Sequence, residues 1–251
     1  MNAFLSLVAA VVLVYVFFGA LLFFGQRSIL YHPTPVIEHG FEEEIFTTEV
    51  DVRVIVLNSG LGKAILYFGG NADSMALNAP EMFSALPSLS IYLVNYRGYG
   101  GSGGVPTEAG LYSDALLIFD ELARRHELVH VMGRSLGSGV ATYVASERDV
   151  SKLVLITPFD SVVRVARGHY PIYPAGLMVR DRHDSIDRAG RIQSETLLLV
   201  AEQDRVIPKA HSLKLADALS HVSPRLHVLD GVSHNTISLH KRYYPLIRDF
   251  F

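Results

Sequence analysis

Apolar residues are spread unevenly along this chain, and their spacing changes character twice. From Ala3 to Gly25 they run with no charged side chain and with Ser6 as the polar exception. At about 1.5 Å per residue, a helix of that stretch covers the roughly 30 Å of a bilayer's hydrocarbon core. Beyond Glu44, short β-branched runs alternate with longer stretches in which apolar positions return every three or four residues, the pattern of strands and amphipathic helices in turn. Glu44–Asn58 reads as a pair of antiparallel edge strands. Runs at Lys63–Phe68, Leu89–Asn95, Leu128–Met132, Lys152–Ile156, Thr196–Val200 and Arg225–Leu229 predict a mostly parallel sheet. Segments at Ser74–Ala85, Glu108–His126, Leu136–Glu147, Lys209–Ser220 and Asn235–Arg248 predict helices on both its faces.

These boundaries give an N-terminal transmembrane helix over 1–25, a juxtamembrane linker over 26–43, and an α/β domain over 44–251 with a small helical cap insertion at about 159–192. The first segment reads as a retained anchor. No Lys or Arg precedes it, it is longer than the apolar region of a signal peptide, and no small-x-small cleavage pattern precedes Gln26. Arg27 is nearly the only cation nearby, so the side of the membrane on which the domain sits stays open. Pro33 and Pro35 predict an extended linker, since each disfavours helix in the residue before it. Within the insertion, Arg180-Asp181-Arg182-His183-Asp184 reads as a solvated charge run with a helix cap at Asp184 or Ser185.

The sharpest local signal is Gly133-Arg134-Ser135-Leu136-Gly137, placed directly after the run Leu128–Met132 and before an Ala- and Val-rich helix. A strand that turns sharply into a helix strains its turn residue. Glycines two positions to either side let the two elements pass, and the serine hydroxyl is lifted clear of the sheet at the positive end of the helix. A serine hydroxyl attacks a carbonyl only when a base takes its proton. On a fold of this kind the partners follow in the order serine, acid, histidine. Asp204 stands 69 residues on, just past a predicted strand, and His234 a further 30 residues on, past the next strand. Asp160 is the rival acid, one strand earlier. Asp230 is assigned to a turn with Gly231, while His240 falls on the last helix and His227 within a strand. For the two N–H donors that a developing oxyanion needs, Leu136 supplies one and the turn Gly69-Gly70-Asn71 the other, from Asn71 or, as the alternative, Gly70.

Composition removes several other readings. At 251 residues and 49% hydrophobic content the chain has material for one α/β domain. A net charge of -3 gives nucleic acid no basic stripe to bind. Without Cys there are no disulfides and no thiolate sites. No His, Asp or Glu grouping has the spacing of a metal site, and serine chemistry requires neither metal nor cofactor. The glycine-rich Gly98–Gly104 lacks the Gly-Lys-Ser/Thr ending of a phosphate loop and reads as a flexible loop beside the site.

Together, Gln26-Arg27-Ser28-Ile29-Leu30-Tyr31-His32-Pro33, Phe68-Gly69-Gly70-Asn71-Ala72, Asn95-Tyr96-Arg97-Gly98-Tyr99-Gly100-Gly101-Ser102, the Ser135 elbow and the Asp204 and His234 segments resemble the α/β-hydrolase superfamily. Specifically, they are similar to its membrane-anchored branch of Bem46-like proteins and α/β-hydrolase domain-containing proteins 13 and 17. That branch often has His-Gly-Asn-Ala where this chain has Gly69-Gly70-Asn71-Ala72, so no histidine role carries over to that turn. The resemblance implies an α/β-hydrolase fold and hydrolysis of small acyl esters, thioesters or lipids, without a cofactor. A serine peptidase of the prolyl-oligopeptidase type and a non-catalytic membrane scaffold are the competing classes. Val162, Val163, Tyr170, Ile172, Tyr173, Leu177 and Met178 of the insertion are the expected lining of an acyl groove.

Overall fold

The computed structural model describes residues 3–251. It begins with the helix α1 (Ala3–Leu30), followed by β1 (Glu42–Thr47), β2 (Asp51–Leu57), β3 (Lys63–Phe68), α2 (Met75–Ala85) and β4 (Ser90–Val94). After them come α3 (Glu108–Arg125), β5 (Leu128–Arg134), α4 (Leu136–Glu147) and β6 (Lys152–Ile156). The insertion holds α5 (Val162–His169), α6 (Ala175–Met178) and α7 (Ser185–Arg188). The chain then closes with β7 (Glu195–Ala201), α8 (Lys209–Ala218), β8 (Arg225–Leu229) and α9 (Tyr243–Phe250).

Eight strands form one sheet in the order β1-β2-β4-β3-β5-β6-β7-β8, antiparallel at β1·β2 and β2·β4 and parallel from β4 to β8. The central strands are buried on both faces, which is why they read as continuous apolar runs. Side chains of α3, α4 and α8 fill one face, and those of α2 and α9 the other. From β3 the chain crosses one way to β4, then returns past β3 to β5. The carboxyl ends of β3 and β5 therefore flank a crevice at the switch in strand order, where open α/β sheets place their sites.

Several sequence expectations need correction. Of the two expected edge strands, β1 lies at the edge but β2 is covered by β4. The first helix does not stop at Gly25 but continues through Gln26–Leu30, and the extended segment starts at Tyr31, which is buried in the core. Local proline rules act only from His32 onward, so nothing interrupts the preceding turn. The final helix is not continuous from Asn235. A 3₁₀ turn at Ile237–Leu239 precedes α9, because Pro245 has no N–H for a helix running back to Lys241 and fits only within a first turn. The Arg180–Asp184 run is only partly solvated: Arg180 and Arg182 are exposed but Asp181 and His183 are buried, and Asp184, at the N-cap of α7 as expected, makes no side-chain capping hydrogen bond. The Gly98–Gly104 loop is held rather than free. Its Tyr99 is buried, the Gly100 N–H donates to Thr34 O at 2.9 Å, and the Ser102 hydroxyl donates to Asn95 O at 2.8 Å.

By length and composition α1 can cross a membrane, and none of its described residues is buried.

Candidate active site

Ser135 sits between β5 and α4 with φ +51° and ψ -118°, a left-handed backbone that side-chain-bearing residues rarely adopt and that costs on the order of 1–3 kcal/mol. The two glycines make room for it. A Cβ on Gly137 would lie 2.0 Å from Phe68 O, and one on Gly133 would lie 2.3 Å from Gly137 O. The Ser135 N–H donates to Ile156 O at 2.9 Å, tying the turn to the end of β6.

The structure brings Ser135, His234 and Asp204 together from three strand ends. His234 Nε2 lies 2.8 Å from Ser135 Oγ, and His234 Nδ1 lies 2.7 Å from Asp204 Oδ2. A carboxylate only accepts, so the imidazole proton belongs on Nδ1 and leaves Nε2 as the acceptor for the serine hydroxyl. Asp204 is fixed in turn by the N–H groups of Val206 and Ile207, which donate to its other oxygen at 2.9 and 2.8 Å. Asp160 is elsewhere. It is fully buried and engages His211 Nδ1 at 2.7 Å and the Ser161 N–H at 2.8 Å. Asp230 does not close the Gly231 turn: that N–H donates to Glu202, and the exposed Asp230 pairs with His240. His227 lies within β8, as expected.

Across from the serine, the turn after β3 is braced on every side. The Gly70 N–H donates to Asp73 Oδ2 at 2.8 Å. Tyr96 donates its hydroxyl to Gly69 O and Tyr99 to Asn71 O, while the Asn71 side-chain amide donates to Leu30 O. Leu136 opens α4, so its N–H has no acceptor one turn back.

Sequence reasoning missed three supports. Arg134, the variable position of the serine motif, reaches both Asp73 oxygens at 3.4–3.5 Å and His234 O at 3.3 Å, linking the two loops that face Ser135. Arg27 pairs with Asp181 at 2.9 Å, joining α1 to the cap. His183 is buried between the Tyr31 and Tyr112 hydroxyls, each 3.1 Å away, and burial lowers its pKa to about 4. The first of these had a signal in its motif position; the other two join residues 71 to 154 positions apart.

A cavity of about 400 Å³ opens at Ser135. Val162, Tyr170, Tyr173 and Met178 line it as expected, but Val163, Ile172 and Leu177 do not. Val163 is buried apart from the cavity, and the other two project outward. Among the described residues no group of His, Asp and Glu is arranged to hold a metal.

No family model matches the chain. It is 34% identical over 184 residues to an uncharacterized protein of Mycobacterium tuberculosis, covering 71% of this chain and 65% of that protein. It is 27% identical to protein bem46 of Schizosaccharomyces pombe, over 74% of this chain and 66% of the relative. It is 29% identical to the human alpha/beta hydrolase domain-containing protein 17B, over 64% and 56% respectively. The matched part thus spans 56–66% of these relatives' own length, less than two thirds of each. Among solved structures, a Pyrococcus furiosus esterase superposes with a TM-score of 0.66 at 17% identity, covering 88% of this chain and 97% of that one, which shows a common fold. With the sheet order, the elbow and these relatives in agreement, the chain has the α/β-hydrolase fold and is similar to the Bem46-like branch of that family.

Proposed function

We propose that this protein is a membrane-anchored serine hydrolase that cleaves carboxylic esters or thioesters of acyl or lipid substrates, with Ser135 as nucleophile, His234 as base and Asp204 as the group that orients the imidazole. The observation that carries the proposal is the pair of contacts at 2.8 and 2.7 Å linking the three side chains. Ser135 Oγ attacks the carbonyl carbon as its proton passes to His234 Nε2. The oxyanion accepts hydrogen bonds from the N–H groups of Leu136 and Asn71. Asn71 is preferred over Gly70 because the Gly70 N–H is already given to Asp73. Collapse breaks the bond to the leaving oxygen or sulfur, which takes the proton from His234 and departs as alcohol or thiol. Water then attacks the acyl-enzyme, gives its proton to the same nitrogen, and releases the carboxylic acid and the free serine.

The acyl preference rests on the cavity lining, in which Leu136, Phe159, Val162, Val165 and Met178 offer hydrocarbon contact beside the serine. Membrane anchoring rests on the length and apolarity of α1. The test uses the full chain in detergent or vesicles: labelling by a fluorophosphonate, then specificity constants on matched acyl esters, thioesters and peptide amides. Labelling at Ser135 and a preference for esters or thioesters are expected. A chain that never labels is a scaffold, and a preference for amides makes it a peptidase.

A further inference from the structure

The cavity is not walled by the α/β domain alone. Leu22, Gln26, Ile29 and Leu30 of α1 line it opposite Val165 and Tyr173 of the cap. Helix and cap are fastened along much of their length. Near the domain, Arg27 pairs with Asp181, and the Gln26 side chain donates to Met178 O at 3.1 Å while accepting from the Arg180 N–H at 2.7 Å. Further along, Tyr15 stacks on Tyr173 with ring centres 4.8 Å apart, and its hydroxyl donates to Ile172 O at 2.9 Å. Tyr15 precedes Arg27 by twelve residues, about 18 Å along a helix axis. It lies well inside the charge-free stretch.

A bilayer that accommodates this stretch must therefore also reach the cap tip, and the tip is composed for it. Residues 170–178, Tyr-Pro-Ile-Tyr-Pro-Ala-Gly-Leu-Met, carry no charge, whereas Arg167 and His169 precede them and Arg180, Asp181 and Arg182 follow. Ile172 and Leu177 are 69% and 86% exposed, which is unfavourable in water and favourable in hydrocarbon. Irregular backbone in a membrane must satisfy its own polar groups. Here Pro171 and Pro174 bring no N–H, and those of Tyr170, Tyr173, Ala175, Leu177 and Met178 donate to carbonyls within the cap. Arg180 stacks over Phe23 at 4.3 Å, level with Arg27 near the end of the charge-free stretch, where a cation meets the lipid–water boundary.

We propose that the cap tip, residues 170–178, is immersed in the leaflet beside α1, and that the cavity opens sideways into that leaflet between α1 and the cap. The substrate is then a bilayer-resident ester or thioester whose acyl chain slides to Ser135 without crossing water. This deepens the hydrolase proposal and rests on it for the identity of the reacting group, but the placement of the tip is independent of the chemistry.

The chain contains no Trp, so single tryptophans report depth without background. Ile172→Trp and Leu177→Trp, in the full chain reconstituted in phosphatidylcholine vesicles, are expected to emit at shorter wavelength and to lose more than half their fluorescence to acyl-brominated phosphatidylcholine. Leu128→Trp, at the amino end of β5 away from the site, is expected to lose little. Equal, weak quenching at all three positions overturns the proposal. For the route, the double variant Ile172→Asp, Leu177→Asp should lower the ratio of long-chain vesicle ester hydrolysis to soluble butyrate ester hydrolysis at least tenfold, and an unchanged ratio overturns the lateral mouth. Absence of fluorophosphonate labelling in the unmutated chain overturns the hydrolase reading beneath it, while the tryptophan depths still decide where the tip lies.

Discussion

The two walls of the cavity are built by opposite means. The wall that carries Ser135 is made of strand ends, and its geometry is dictated by backbone: a residue at φ +51°, two glycines with no room for a Cβ, and amides donated across neighbouring strands. The facing wall, between α1 and the cap, has no sheet beneath it. It is held by side chains from distant segments: Arg27 with Asp181, Tyr31 with His183, and Glu108 accepting the N–H groups of Arg182 and His183. Distortion of the first wall is resisted by the whole sheet, whereas the second is resisted by side-chain contacts between α1, α3 and the cap. A reacting centre fixed by backbone facing a mouth built from side chains suits a site that must orient one bond precisely yet admit long, flexible chains.

Changes to the fixed wall should be the most damaging. Ser135→Ala removes the attacking oxygen from a position where the side chain packs little, so the chain should fold normally while turnover falls by about 10⁶ and fluorophosphonate labelling disappears. Persistent labelling would move the nucleophile elsewhere. Asp204→Asn should lower kcat by about 10⁴, because an amide no longer holds the imidazole in the accepting tautomer. Asp160→Asn disturbs a buried pair with His211, so it should lower stability by roughly 1–3 kcal/mol with little effect on kcat. A reversal of these two kinetic effects would make Asp160 the catalytic acid. Arg134→Met leaves the strand intact but frees Asp73 and the His234 loop. It should reduce kcat about 10- to 100-fold while labelling continues at a slower rate.

Acid probes the two regions behind these walls, since the sheet and the root of the cap each hold a buried histidine with a lowered pKa. His130 in β5 and His183 at the cap root are both held neutral by burial, with pKa values of about 4. Unfolded, each binds a proton below about pH 6.5. Unfolding therefore takes up protons between pH 6.5 and 4, and stability is present above that window and lost as pH falls through it. Among the described residues neither ring nitrogen of His130 has a hydrogen-bond partner, and the ring stacks on Phe251. His130→Phe should thus flatten the pH dependence of Tm without loss at pH 7. His183→Gln should flatten it as well but lower Tm at pH 7, because two tyrosine contacts go with it. Equal slopes in parent and variants would show that other groups govern acid sensitivity. The smallest effect on turnover belongs to the mouth: Arg27→Met leaves the buried Asp181 carboxylate without its half-exposed partner, which should lower stability by roughly 1–3 kcal/mol. It should shift KM for long-chain esters a few-fold while leaving kcat nearly unchanged.

Much of the fixed wall was legible in the chain because local rules produce it. Runs buried on both faces, such as Leu153–Ile156, have no reading other than central strands once turns and helices separate them. Gly133-Arg134-Ser135-Leu136-Gly137 needs its glycines whatever the rest of the protein does. Asp204 and His234 follow from strand order, because parallel strands bring their carboxyl ends to one side. The mouth left no comparable trace. Arg180-Asp181-Arg182-His183-Asp184 has the composition of a surface run, and only Arg27, 154 residues before Asp181, turns it into a buried joint. The same holds for the end of α1, where Pro33 and Pro35 predict extended chain after Gly25 but packing of Leu30 and Tyr31 against the domain carries the helix another turn.

The sequence by itself therefore determined the sheet, the elbow and the order of the three side chains around it, since these depend on periodicity, backbone stereochemistry and chain direction. Only the tertiary structure decided that Asp204 rather than Asp160 meets His234, that Arg134 braces both loops facing Ser135, and that α1 forms a wall of the cavity. Those outcomes depend on side chains far apart in sequence meeting at a fixed separation, and no local pattern encodes a distance across the fold.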